Sequence, residues 1–148
     1  MQLAKAVEVR YVGAAVSAAN NTDSNSTRID TAGYEGVIFV TTITSSTATG
    51  VATLKIEQNT VDSDTGMAAL SGASAAATCA VNSDLNGKTL IVSVHKPRER
   101  YVQAVRTSAT ANIAFGEVHA ILYGQGQLPA AAASTTAASA DTVSPAEA

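Results

Sequence analysis

The sequence predicts an all-β protein, a β-sandwich or jelly-roll-like single domain, and three observations carry that expectation. Residues 34–44 (Tyr34-Glu35-Gly36-Val37-Ile38-Phe39-Val40-Thr41-Thr42-Ile43-Thr44) form the longest stretch rich in β-branched residues. Several further short apolar stretches alternate with polar residues at the period of a strand and are separated by Gly, Asn, Ser and Pro clusters. With 148 residues, a single domain of this size buries roughly 68–70% of its unfolded surface, enough for one core.

The central strand places Val37, Phe39, Thr41 and Ile43 on one face and Ile38, Val40 and Thr42 on the other. Both faces are apolar near the middle, so each calls for cover. Before it, Val7, Val9 and Tyr11 alternate with Glu8 and Arg10, predicting a first strand with Glu8 and Arg10 on its wet face and continuing toward Val16. Residues 18–28 are polar and read as a loop, after which Ile29 and the turn Asp30-Thr31-Ala32-Gly33 lead into the central strand. Residues 50–58 put Ala52, Leu54 and Ile56 on one face, in a strand expected to form a hairpin with the one before it. Residues 59–66 read as a loop, residues 67–76 as a short helical turn or plain loop, and residues 77–81 as a short strand. Asn86-Gly87 marks a tight turn.

Residues 89–95 predict a strand with Leu90, Val92 and Val94 inward, which Pro97 ends because it has no N–H for a ladder. Residues 100–106 and 111–123 are the last two strands, with Gly116 marking a bulge or close backbone approach. The domain is expected over residues 1–128. Residues 129–148, rich in Ala, Ser and Thr, lack large side chains and read as a flexible tail, or as an arm that orders on a neighbouring subunit.

Apolar residues make up 46% of the chain and aromatics only 4%, so the core must be built from Val, Ile, Leu and Ala. A net charge of −3 argues against a nucleic-acid partner, which needs a concentrated basic face. The single cysteine, Cys79, rules out an internal disulfide and reads as a buried small hydrophobe. No signal peptide and no apolar run long enough to span a bilayer is evident, so a soluble protein made in the cytoplasm, with no membrane partner, is expected.

The sequence holds no nucleophile elbow, P-loop, dinucleotide fingerprint or His-Glu-x-x-His motif, and the expectation is a protein without catalytic activity, cofactor or metal. His95 and His119 lie on separate strands, with Glu117 sharing the face of His119. Asp62-Ser63-Asp64-Thr65-Gly66 resembles the opening of a calcium loop but lacks the later acidic ligands, so a solvated turn is the simpler reading. Lys96, Arg98, Arg100 and Arg106 form the one dense basic cluster. It reads either as a solvated edge that deters strand addition or as an interface patch for an acidic partner. Loops rich in Ser, Thr and Asn also admit a carbohydrate-binding module, although the aromatic platforms such sites employ are scarce.

Three segments in order carry a family resemblance: residues 29–40 (Ile29-Asp30-Thr31 through Phe39-Val40), residues 52–59 (Ala52-Thr53-Leu54-Lys55-Ile56-Glu57-Gln58-Asn59), and Arg100-Tyr101-Val102-Gln103 with the strand over 116–123 that follows. Together they resemble the small β-rich virion proteins of tailed bacteriophages. The chain departs from that pattern at Gln103, where a second Arg recurs, at Asn59, where a Ser is usual, and in its extended tail. The resemblance implies a head decoration or cement protein on the capsid exterior, commonly a trimer, with the major capsid protein as partner. Tail or neck components are the other positions it allows.

Overall fold

The computed structural model describes residue 3 and residues 6–125; the expected tail over 129–148 lies outside the described residues. Among the described residues ten strands, β1 (Val7–Gly13), β2 (Val16–Ala19), β3 (Thr22–Asn25), β4 (Ile29–Asp30), β5 (Gly36–Ser46), β6 (Val51–Asn59), β7 (Ala68–Thr78), β8 (Thr89–His95), β9 (Tyr101–Ala109) and β10 (Ile113–Tyr123), form two antiparallel sheets. Sheet A has the order β1-β10-β5-β8, with β2 also on β10; sheet B has the order β3-β9-β6-β7, with β4 also on β9. The all-β sandwich expected from the sequence is the fold observed.

The core lies between the sheets and follows the expected alternation. Val37, Phe39 and Ile43 of β5, Leu90, Val92 and Val94 of β8, and Ala52, Leu54 and Ile56 of β6 are all buried in one cluster, with Phe39 among its largest side chains. Cys79 is buried there as well. Gly116 lies where the β10–β5 register slips between Phe115 and Val118, the bulge its position in the sequence predicted.

Four expectations are corrected. The alternation of β1 is inverted: Glu8 and Val12 point inward, whereas Val9 and Tyr11 are exposed. Glu8 tolerates this because Arg10 Nε donates to it at 2.8 Å and the Tyr34 hydroxyl donates to its other oxygen. Residues 18–28 are not a single loop, because β2 and β3 carry the chain from sheet A to sheet B. Strands β5 and β6 do not form a hairpin but sit in different sheets, so the turn over 47–50 crosses the sandwich, held by Gly50 N to Thr47 O and Thr49 N to Cys79 O. Residues 68–78 are strand, in place of the helical turn or loop expected over 67–76: pairing with β6 overrides the weak β-propensity of Ala and Ser. Gly72, at φ 80°, lies in the stretch between Ala69 and Ser74 where that ladder is interrupted.

Candidate interface

The basic cluster does not assemble as one patch. Arg106 is withdrawn from it, being 3% exposed, because it lies on the inner face of β9 where the sandwich closes over it. Its Nη1 donates to the carbonyls of Ala14 and Gly116, at 2.7 Å each, while its Nε finds no partner among the described residues. Burial pushes the Arg106 guanidinium below its ordinary value, against the opposing pull of Tyr11 and Glu117. Arg100 is exposed but engaged. Its Nε and Nη2 grip both oxygens of Asp30 at 2.8 and 2.7 Å, and its guanidinium lies 5.4 Å from the Tyr101 ring centroid. The pair holds the Asp30 carboxyl at about 2, chiefly through the Arg100 hydrogen bonds.

Lys96 and Arg98 are exposed on the β8–β9 linker. No ion pair engages either among the described residues. Lys96 adopts φ 51° and its backbone N–H donates to Glu35 O at 2.7 Å, which fixes the start of the linker beside β5. With Leu70, Ser71, Gly72 and Ala73 of β7 they line a shallow groove of about 310 Å³. Two members of the predicted patch therefore remain available as cations, one is neutralised in place, and one is internal.

Asp62 and Asp64 do not form an open cation cradle, because Arg28 binds both: its Nε meets Asp62 Oδ1 at 2.6 Å and its Nη1 meets Asp64. The loop is closed by the buried Asn59, whose Nδ2 donates to Ser63 O and Thr65 O at 2.9 Å each. His95 stacks on Tyr123 with ring centroids 6.3 Å apart, and His119 meets Tyr11 edge-on at 5.7 Å. No group of three or more His, Cys, Asp or Glu side chains among the described residues could hold a metal ion.

Sequence reasoning missed the difference between the two outer faces. On sheet B the outward side chains form polar ladders. Lys55 Nζ lies 3.3 Å from Asp23, Thr107 donates to Asp23 at 2.7 Å, and Gln103 Nε2 donates to Glu57 at 2.9 Å. On sheet A three cross-strand rows lie outward: Val7–Tyr123–Gly36–His95, Val9–Ile121–Ile38–Ser93, and Tyr11–His119–Val40–Ile91. None contains a charged residue. Val9, Tyr11 and Ile91 are 47%, 44% and 58% exposed, and a groove of about 650 Å³ runs along the first two rows, with Glu35 its one charged lining residue among the described residues. The signal was present in β5, whose Ile38 and Val40 called for cover on the second face, but without the inversion of β1 the rows could not be assembled.

No family model matches the chain, and no curated protein matches it. Among solved structures it is similar to the PBSX exported protein XepA, with a TM-score of 0.51 and 17% sequence identity over 97% of this chain. The chain spans 45% of that protein's length, and the likeness is one of fold.

Proposed function

We propose that this chain is a structural protein of a tailed-phage particle that decorates or cements the capsid by contact with the major capsid protein, with no catalytic role. Two likenesses support the phage assignment: the three sequence segments described above, and a fold similar over 97% of this chain to that of the PBSX exported protein XepA. The observation that carries the contact surface is the exposure of Lys96 and Arg98, two cations without an ion pair among the described residues, beside a shallow groove, on a protein whose other arginines are engaged internally or by carboxylates. An acidic surface of the lattice is the complementary partner. Binding only to the assembled shell would stabilise it by mass action.

The test is the copy number of this chain in purified virions, by quantitative mass spectrometry against the major capsid protein. A number comparable to the capsid protein supports decoration, a small ring-like number moves the chain to the tail or neck, and absence from the particle ends the reading.

A further inference from the structure

An edge strand offers unpaired backbone groups to other chains, and folds commonly block this with bulges, short strands or charges. Among the described residues three edges of this sandwich are blocked in that way. The β1 edge carries a bulge between Tyr11 and Gly13, β3 is four residues long and bears Asp23, and the ladder of β7 is interrupted between Ala69 and Ser74. The fourth edge, β8, has none of these devices. Its seven residues include no charged residue, Pro or Gly, and its register with β5 runs unbroken from Thr89 to His95.

The bonds at the two ends of that ladder, Ile43 N to Lys88 O and Lys96 N to Glu35 O, turn the even-numbered residues toward β5. The backbone N–H and C=O groups of Thr89, Ile91, Ser93 and His95 therefore point away from the sheet, and no hydrogen bond among the described residues takes them up. Beside the last of them lies the groove of about 310 Å³, whose far wall is the interrupted stretch of β7 over 70–73. Lys96 and Arg98 stand at its end, exposed and without an ion pair among the described residues.

We propose that the β8 edge takes, by strand addition, an extended acidic segment of another protein, whose backbone pairs with Ile91, Ser93 and His95 and whose carboxylates meet Lys96 and Arg98. Main-chain bonds hold such an added strand, and charge selects which segment is accepted. The inference rests on the same two cations as the capsid reading and gives that partner a form, an extended segment in place of a flat acidic surface. A second copy of β8 is the poorer occupant. It offers no carboxylate, and laid antiparallel along the whole strand it would set Lys96 opposite the other copy's Lys88, a like-charge pairing.

The test titrates the full chain with a capped synthetic octapeptide of alternating Thr and Val with Glu at each end, and with its twin carrying Lys at each end. Amide exchange is followed residue by residue by NMR. The edge variant is Ser93→Pro, which removes an N–H that points away from β5 and so leaves the ladder intact; circular dichroism checks that it folds. The expected result is saturable binding of the Glu peptide at about 1 mM or tighter, with exchange at Ile91, Ser93 and His95 slowed at least fivefold. The Lys peptide should bind at least tenfold more weakly, as should the Glu peptide to Ser93→Pro and to the Lys96→Glu, Arg98→Glu variant. The wild-type exchange data decide the matter even where Ser93→Pro does not fold. No binding of the Glu peptide, binding without protection of these amides, equal binding of the two peptides, or indifference to Ser93→Pro overturns the proposal. So do edge amides already protected in the free chain, which would mean that the chain covers its own edge. No capsid enters the experiment, so its failure is distinct from a failure of the copy number in virions.

Discussion

Arg106 of sheet B is hydrogen-bonded to Gly116 of sheet A, its Nη1 donating at 2.7 Å to the carbonyl exposed by the β10 bulge and at the same distance to Ala14 O. The bulge turns Gly116 O off its ladder and into the sandwich, where Thr41 Oγ1 also donates to it at 3.3 Å. Removing the guanidinium would leave buried carbonyls short of a donor and open a cavity. Arg106→Ala is therefore expected to lower stability by about 2–4 kcal/mol, read as a shift of the urea midpoint with the slope unchanged. Gly116→Ala is the control. An added Cβ there meets nothing closer than Thr42 O at 3.5 Å, so a change below about 0.5 kcal/mol is expected. Equal losses in the two variants would mean that the bulge, and not the guanidinium, joins the sheets.

Tyr123 lies across Gly36 to reach His95, with its hydroxyl 3.3 Å from His95 Nδ1 and the two rings stacked. A Cβ on Gly36 would press into the tyrosine ring and sit 2.6 Å from Val94 O. The ring can swing outward, but the backbone carbonyl cannot. Gly36→Ala should cost about 1–3 kcal/mol of thermal stability, and Tyr123→Ala in the same background should restore only part of it. Full restoration would show that the clash with Val94 O relaxes freely.

Acid should weaken the molecule in a defined window. Asp30 titrates at about 2 in the folded protein against an ordinary 3.8, so its stabilising contribution is complete above the ordinary value and is lost as pH falls from there through about 2. Glu8 acts in the same direction: burial pushes its carboxyl up, and the hydrogen bonds from Arg10 and Tyr34 more than offset this. Asp30 and Arg100 are both well exposed, so solvent screens their pair and the effect is modest. Asp30→Asn should flatten the loss of stability between pH 4 and 2, as followed by thermal melts, and added salt should flatten it further in the wild type. An unaltered acid limb in Asp30→Asn would assign the window to Glu8 and the other carboxylates.

Much of the sandwich was legible because its inward residues obey the two-residue period: Val37, Phe39 and Ile43, or Leu90, Val92 and Val94, could be placed on the core side from spacing alone. The strands that escaped were those whose signal is long-range. Nothing local in Ala68–Thr78 favours a strand; it exists because β6 offers an edge. Nothing local in β1 reveals that Glu8 turns inward, since the side chains that satisfy it include Tyr34, 26 residues away. The same limit governed the basic cluster. Four cations close in sequence look alike until the fold places Asp30 beside Arg100 and closes the two sheets over Arg106.

That sorting predicts which charge reversals in the basic cluster weaken binding and which weaken the fold. Arg98→Glu combined with Lys96→Glu changes two exposed side chains that no ion pair holds among the described residues, so folding stability should move by less than about 0.5 kcal/mol. Occupancy on capsids should fall steeply, and the residual wild-type affinity should decline with ionic strength, because an exposed electrostatic contact is screened over about 10 Å at 0.1 M salt. Arg100→Glu alone is expected to behave differently: it breaks the clamp on Asp30 and sets two carboxylates against each other, so it should cost stability before it costs binding. Quantitative gels of capsids incubated with each purified variant separate the two effects when read beside their melting temperatures. Full occupancy by the Lys96→Glu, Arg98→Glu variant at low salt would remove the β8–β9 linker as the contact and direct attention to the polar outer face of sheet B.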